Sequence, residues 1–286
     1  MMAVLRTVGD ALAHARPFYT ASNAVLTPAS AQALLAHVLG RGRAWLLAHP
    51  EARLSDGEAA QYLDLLQRIL AGEPFAHLVG EREFYGLPFT VTPHVLIPRP
   101  ETEGLVDLVL EWVRERDLSQ PRLVDVGTGS GAIAVTLALR LPAAFILAVD
   151  VSAAALHIAR CNAARHGVAE RIVFVRGNLL DALSGPFDAI IANLPYISSE
   201  EIAALEVGRW EPRVALDGGP DGLDLVRALL RQAPSRLAPG GLLALEIGHD
   251  QGLRVVALCR EAFPSARISL LPDLAGLDRL VRVETA

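Results

Sequence analysis

Apolar positions change their spacing along this chain. In "SAQALLAHVLG" (residues 30–40) and "DGEAAQYLDLLQRILAG" (56–72) they recur three and four residues apart, as in helices with one buried face. Ser30 is expected to cap the first helix and Ser55 or Asp56 the second, with Gly40 and Gly72 ending them. Over residues 83–99 the spacing becomes alternate. "LPFTVT" and a Gly-Leu-Pro turn there predict a β-hairpin. A helix should begin near Glu101, where Pro100 and neighbouring carboxylates suit a first turn. From about residue 120, short apolar runs alternate with helical periods. Strands are expected at 122–126, 144–150, 171–177, 187–193 and 240–248, and a closing pair at 266–273 and 277–284. Helices are expected at 131–141, 152–167 and 221–237. Near-continuous apolar strands separated by helices predict an α/β fold with a mainly parallel sheet covered on both faces. Residues 1–82 form a helical domain suited to recognition, 83–100 a hairpin connector and 101–286 the α/β domain.

Composition narrows the function. The chain has 286 residues, 52% of them hydrophobic, enough for two cores. Its net charge of −6 gives no basic footprint for duplex nucleic acid, so no stable nucleic-acid binding is expected. All 26 basic residues are Arg, which excludes a lysine Schiff base and a P-loop lysine. The two cysteines, Cys161 and Cys259, are far apart within helical stretches and are expected as core thiols. The eight histidines lack metal-ligand spacing, so no metal is expected. No uncharged apolar run reaches about 18 residues, and Gly9 and Asp10 interrupt the first apolar stretch. No membrane association is expected, and the cytoplasm is the expected location.

Ligands of parallel α/β sheets sit beyond the carboxyl ends of the strands. The first such end reads "DVGTGSG" (125–131). Gly127, Gly129 and Gly131 permit a tight turn and close ligand approach, with Thr128 and Ser130 between them. The next strand ends at Asp150, whose carboxylate could accept from two ribose hydroxyls. The G-x-G-x-G spacing differs from the dinucleotide fingerprint. It resembles motif I of class I S-adenosylmethionine-dependent methyltransferases, whose fold is a seven-stranded, Rossmann-like sheet. Asn178 follows the third strand. The resemblance implies a place beside the adenine, and a turn residue is the alternative.

The fourth strand ends in Asn193, Leu194, Pro195 and Tyr196. This resembles the N/D-P-P-Y motif of methyltransferases acting on planar nitrogens. An amide nitrogen is a poor nucleophile because its lone pair is delocalised. Two acceptors, the Asn193 side-chain oxygen and the Leu194 carbonyl, can hold its two N–H groups and turn the lone pair toward a methyl donor. Positioning and electrostatics then carry the catalysis. Leu194 replaces the usual Pro, but a backbone carbonyl survives that change, and Pro195 still biases residue 194 toward extended backbone. Tyr196 offers a flat face for a planar substrate.

Asn-Leu-Pro-Tyr also resembles the motif of ribosomal RNA adenine dimethyltransferases. The segment "EFYGLPFTVTPHVLIPRPETE" (83–103) decides otherwise. Together with "GEPFAHLVGEREF", "EPRVALDGGPDGL", "LLALEIGHDQ" and "GLDRLVRV", it resembles the protein-(glutamine-N5) methyltransferases of peptide chain release factors, the PrmC/HemK family. That resemblance implies S-adenosylmethionine as methyl donor and S-adenosylhomocysteine as product. It also implies, as substrate, the glutamine of the Gly-Gly-Gln loop on class I release factors. A related enzyme class acts on a ribosomal-protein glutamine. Arg99, Glu101 and Glu103 border the site or serve capping and packing. Glu246 is similarly open, and Arg213 belongs to a loop over the substrate.

Overall fold

The computed structural model describes residues 5–19, 26–205 and 207–286. The chain divides into two compact units, Met1–Gly80 and Glu81–Ala286.

The first unit is helical, with α1 (Val8–Ala15), α2 (Pro28–Leu39), α3 (Arg43–Ala48), α4 (Asp56–Leu70) and α5 (Phe75–Val79). Helix α2 starts earlier than its apolar spacing suggests. Pro28 presets the first turn, and Thr27 is the cap. Ser30 closes the capping box from inside the helix by accepting from the Thr27 N–H at 2.8 Å. Ser55 caps α4 as expected, with Glu58 completing the box. Gly40 ends α2 with φ +59°. Leu34, Leu35, Leu46, Tyr62 and Ile69 form this unit's own core. Each fully buried Leu or Ile contributes about 1.5–3 kcal/mol over exposure.

The second unit opens with an antiparallel hairpin, β1 (Glu81–Phe84) and β2 (Leu87–Thr90). Its turn is Tyr85-Gly86, at φ +55° and +72°, one residue ahead of the expected Gly-Leu-Pro. Leu87 and Pro88 already lie in the strand, Pro88 in a two-stranded ribbon where an absent N–H is tolerated. A 3-10 turn, Pro100–Thr102, leads into α6 (Glu103–Glu115).

The main sheet then builds from β3 (Arg122–Val126), α7 (Ala132–Arg140), β4 (Phe145–Asp150), α8 (Ala153–Arg165), β5 (Ile172–Arg176) and β6 (Phe187–Asn193). Short helices α9 (Ser199–Ala204) and α10 (Val207–Trp210) follow, then α11 (Asp224–Gln232), β7 (Leu237–Glu246), α12 (Gly252–Ala262), β8 (Arg267–Pro272) and β9 (Asp278–Glu284). Among the described residues the sheet has seven strands in the order β5-β4-β3-β6-β7-β9-β8. All neighbours are parallel except those of β9, which pairs antiparallel with both β7 and β8. Strand β6 shows why its run is nearly continuously apolar. Ala189 and Ile191 face a layer with α6 and α7, while Phe187, Ile190 and Ala192 face α11 and α12.

This order places the site. The chain leaves β3 toward β4 and β5, then returns to β6 on the other side of β3. The loops after β3 and β6 therefore diverge, opening a crevice at the carboxyl ends of these two strands. Val126 pairs with Ala192, so the glycine loop and Asn193 emerge side by side.

Candidate active site

The loop after β3 uses each glycine differently. Gly127 (φ +76°), Gly129 (φ +55°) and Gly131 (φ +80°) all occupy left-handed backbone. A β-carbon on Gly131 would also lie 3.0 Å from that of Ala159 on α8, so this glycine lets two helices approach. The loop is tied at two points. Asp150 Oδ2 accepts from the Gly129 N–H at 2.9 Å, and its Oδ1 accepts from Ser152 at 2.8 Å. Buried Asn162 donates to the Ser130 carbonyl and exchanges hydrogen bonds with both backbone groups of Thr90.

Thr128 points inward, donating to Asp125 Oδ2 at 2.6 Å. Asp125 is fully enclosed, its other oxygen is unpartnered, and burial pushes its carboxyl up to about 7. Burial also raises Asp150 above the ordinary aspartate value, although backbone N–H groups oppose this.

A cavity of about 310 Å³ lies over this loop, bordered by Gly127, Asp150, Asn178, Asn193 and Leu194. That volume falls within the range of small-molecule sites. Asp150 keeps lone pairs on both oxygens, and a side chain on Gly127 would intrude beside Leu194. Mainly apolar walls with one carboxylate suit the nucleoside and sulfonium parts of S-adenosylmethionine. Exposed Asn178 both lines this cavity and makes a local turn, accepting from the Asp181 N–H at 3.1 Å. The two readings of that residue are compatible.

A second cavity, about 260 Å³, is bordered by Arg99, Asn193, Leu194, Pro195 and Tyr196. Asn193 and Leu194 thus form part of the wall shared by both cavities. Asn193 Nδ2 donates to Thr102 Oγ1 at 3.0 Å, while Oδ1 accepts no hydrogen bond among the described residues. The Leu194 carbonyl is similarly uncommitted. The chain after Tyr196 is held by Gln251, which donates to the Tyr196 carbonyl at 2.8 Å. Burial raises the Tyr196 phenol, so it stays neutral.

Several residues lie where the sequence left them open. Glu246, at the end of β7, pairs with Asn193 across the sheet and is buried. Desolvation lifts its carboxyl to about 7, against hydrogen bonds from Thr102 and Asn193 and the charge of Arg279. Glu103 accepts from the Tyr85 N–H at 2.7 Å, holding the hairpin turn to the start of α6. Glu101 is exposed. Arg213 is tied to Asp217 at 2.9 Å and does not border either cavity. Cys259 is buried, with its thiol pushed up to about 12, but Cys161 is exposed on α8. The helical period of 152–167 gave Cys161 no face of its own, so its assignment to the core is corrected.

Two residues carry more structure than their sequence suggested. Buried Glu211 accepts from the Ile97 N–H at 2.9 Å and from the Arg99 guanidinium. It fixes the "IPRPETE" segment from across the site. Thr102, hidden between two glutamates in that segment, supports Asn193. Glu211 lay in "EPRVAL", and no local spacing there marked it as a support.

Among the described residues, no cluster of three His, Cys, Asp or Glu could hold a metal, and no helix is long and apolar enough to cross a membrane.

A family profile described as the PrmC N-terminal domain matches residues 10–80. Another, described as ribosomal protein L11 methyltransferase (PrmA), matches residues 104–198. The release factor glutamine methyltransferase of Bradyrhizobium diazoefficiens is 45% identical over 254 residues, covering 88% of this chain and 86% of its own. That of Cereibacter sphaeroides is 45% identical over 276 residues, covering 95% and 96%. A methyltransferase structure from Pyrococcus furiosus aligns over 78% of this chain and 98% of its own. Its TM-score is 0.51 at 17% identity, a likeness of fold. The sheet order is that of a class I S-adenosylmethionine-dependent methyltransferase. With close to half of its residues shared with these relatives over nearly their full length, the chain belongs to the release factor glutamine methyltransferase family.

Proposed function

We propose that this chain methylates the side-chain amide nitrogen (N5) of the glutamine in the Gly-Gly-Gln loop of class I peptide chain release factors. The observation that carries the reading is the position of Asn193, on the wall shared by two cavities with its Oδ1 uncommitted. S-adenosylmethionine, when bound, supplies a methyl carbon activated by a sulfonium. Gly127, Thr128, Gly129, Ser130 and Gly131 shape its loop, Asp150 takes the ribose hydroxyls, and Asn178 borders the adenine. On the other side, Asn193 Oδ1 and the Leu194 carbonyl each accept one N–H of the glutamine amide. Two acceptors on one NH₂ group hold it pyramidal and aim its lone pair at the first cavity. Tyr196 stacks against the amide plane, and Pro195 restrains the Leu194 carbonyl.

Residues 1–82 serve in this reading as the recognition domain for the release factor, with 83–100 as connector and 101–286 as the catalytic domain. The setting is cytoplasmic, where release factors act, and no stable nucleic-acid complex forms.

Methyl-labelled S-adenosylmethionine offered with a purified class I release factor, and separately with deproteinised ribosomal RNA, tests the substrate. Label is expected on the Gly-Gly-Gln glutamine and lost when that glutamine is replaced. Label on RNA adenine alone would overturn the reading.

A further inference from the structure

A threonine hydroxyl has one proton, and the Thr102 hydroxyl stands between two groups that constrain where it points. Asn193 Nδ2 donates to Thr102 Oγ1 at 3.0 Å. The Glu246 carboxylate, opposite Asn193 in the sheet, faces the side chains of both Thr102 and Asn193. Both supports are buried, Thr102 at 5% exposure and Glu246 at 3%. Their elements are independent. Thr102 ends the turn before α6, while Glu246 ends β7 and is registered opposite Asn193.

A carboxylate only accepts hydrogen bonds. Toward Glu246 both Thr102 and Asn193 can only donate, so the Thr102 hydroxyl keeps its lone pairs for Asn193 Nδ2. The only donor on the Asn193 side chain is Nδ2, so that atom faces Thr102 and Oδ1 faces away. The two orientations of an asparagine amide are nearly isosteric, and packing alone separates them poorly. Their chemistry is opposite, because a flipped Asn193 would present N–H groups to the N–H groups of a substrate amide.

We infer that Thr102 and Glu246 are positioning residues that fix the amide orientation of Asn193, so that its Oδ1 meets the substrate amide. The inference rests on the glutamine reading above and extends it to two residues that need not touch substrate. Stability is a poor reason for Glu246 at this position. Its Oε2 is buried without a partner, and leaving a buried acceptor unpaired is destabilising.

The relay needs the ionised carboxylate. The charged and titratable groups facing Glu246 are Arg279 on β9, Glu101 before α6 and Tyr196 beyond β6. Arg279 favours ionisation and Glu101 opposes it, but burial outweighs both. As pH rises through neutrality Glu246 loses its proton, the relay gains its acceptor, and kcat should rise.

The test uses the full-length enzyme carrying Glu246→Gln, Thr102→Val or Thr102→Ser. A glutamine at 246 can donate to Thr102 and release Asn193 to flip. Glu246→Gln and Thr102→Val should each lower kcat at least about tenfold, the scale of one lost charge-assisted hydrogen bond. KM for release factor and calorimetric affinity for S-adenosylmethionine should stay near wild type. Thr102→Ser, which keeps the hydroxyl, should restore kcat. Wild-type kcat should show an ascending limb centred near 7 that Glu246→Gln abolishes.

A second readout needs no substrate. The side-chain ¹⁵N amide signal of Asn193, identified by its loss in Asn193→Ala, should titrate near 7 in wild type and not in Glu246→Gln. If Glu246→Gln fails to fold, Thr102→Val decides, because valine matches threonine in shape. A wild-type kcat profile in a folded Glu246→Gln or Thr102→Val enzyme, or an Asn193 signal indifferent to Glu246, overturns the relay. A wild-type enzyme that leaves the glutamine unmethylated while Asn193 titrates as described overturns the substrate reading and leaves the relay standing.

Discussion

Leu194 packs against the bare backbone of Gly127: a β-carbon on that glycine would stand 3.3 Å from Leu194 Cδ2. The residue that departs from the family's Asn-Pro-Pro-Tyr pattern therefore buries its side chain against the glycine loop. Replacing Gly127 by Ala should affect both partners. The left-handed backbone at φ +76° costs an alanine about 1–2 kcal/mol. The loop either keeps its shape at that cost in stability or relaxes and weakens S-adenosylmethionine binding. Chemical denaturation and calorimetry on Gly127→Ala check this, and unchanged values in both would remove the loop from the site.

Asp150 divides its work between two structural N–H donors and two remaining lone pairs. Asp150→Ala frees the Gly129 and Ser152 N–H groups as well as deleting the ribose acceptor. Affinity for S-adenosylmethionine should fall by about tenfold or more, since each hydrogen bond to a charged group contributes about 1.5–3 kcal/mol. Asp150→Asn retains one acceptor and should fall between. Equal affinity for wild type and Asp150→Ala would remove the ribose assignment.

The buried Asp125 makes stability depend on pH in a definite direction. Its folded carboxyl titrates near 7, above the ordinary aspartate value near 3.9, so the folded state holds the proton more tightly. Its contribution is fully favourable below about pH 4 and is lost as pH rises toward about 7. Asp125→Asn removes that dependence. The difference in unfolding free energy between wild type and Asp125→Asn, measured by urea at several pH values, should shift against wild type across this interval and then level. A constant difference would mean that Asp125 is ionised in the fold at all these pH values.

Glu211 reaches across the second unit to hold Ile97 and Arg99. Glu211→Ala should leave the buried Ile97 N–H unpaired, at about 1–3 kcal/mol of stability. It should also raise KM for the release factor, because Arg99 borders the smaller cavity. Glu211→Gln keeps one acceptor and should recover part of the stability. Denaturation curves and steady-state kinetics on the two variants separate these effects.

The parallel sheet was legible because β3, β4 and β6 are short, nearly continuous apolar runs with helical stretches between them. Gly127, Asp150 and Asn193 stood out as polar or glycine punctuation at strand ends, which is where α/β sheets keep their ligands. The hairpin turn was misplaced by one residue because Tyr85 adopts φ +55°, a conformation that residue type does not announce. Ser30 looked like a cap because it precedes the apolar period, but Thr27-Pro28 starts the helix a turn earlier. Thr102 and Glu211 were not legible as supports. Their roles depend on partners 91 and 114 residues away, and no local spacing encodes such a pairing.

The most direct measurement is methyl transfer by Asn193→Ala beside wild type, with a class I release factor as substrate and peptide mapping of the product. Wild type should label the Gly-Gly-Gln glutamine. Asn193→Ala should bind S-adenosylmethionine comparably but turn over about 10²–10³-fold more slowly, the scale of losing one preorganised transition-state contact. Near-normal turnover by Asn193→Ala would contradict the account at its centre, because the amide would then be held by other groups.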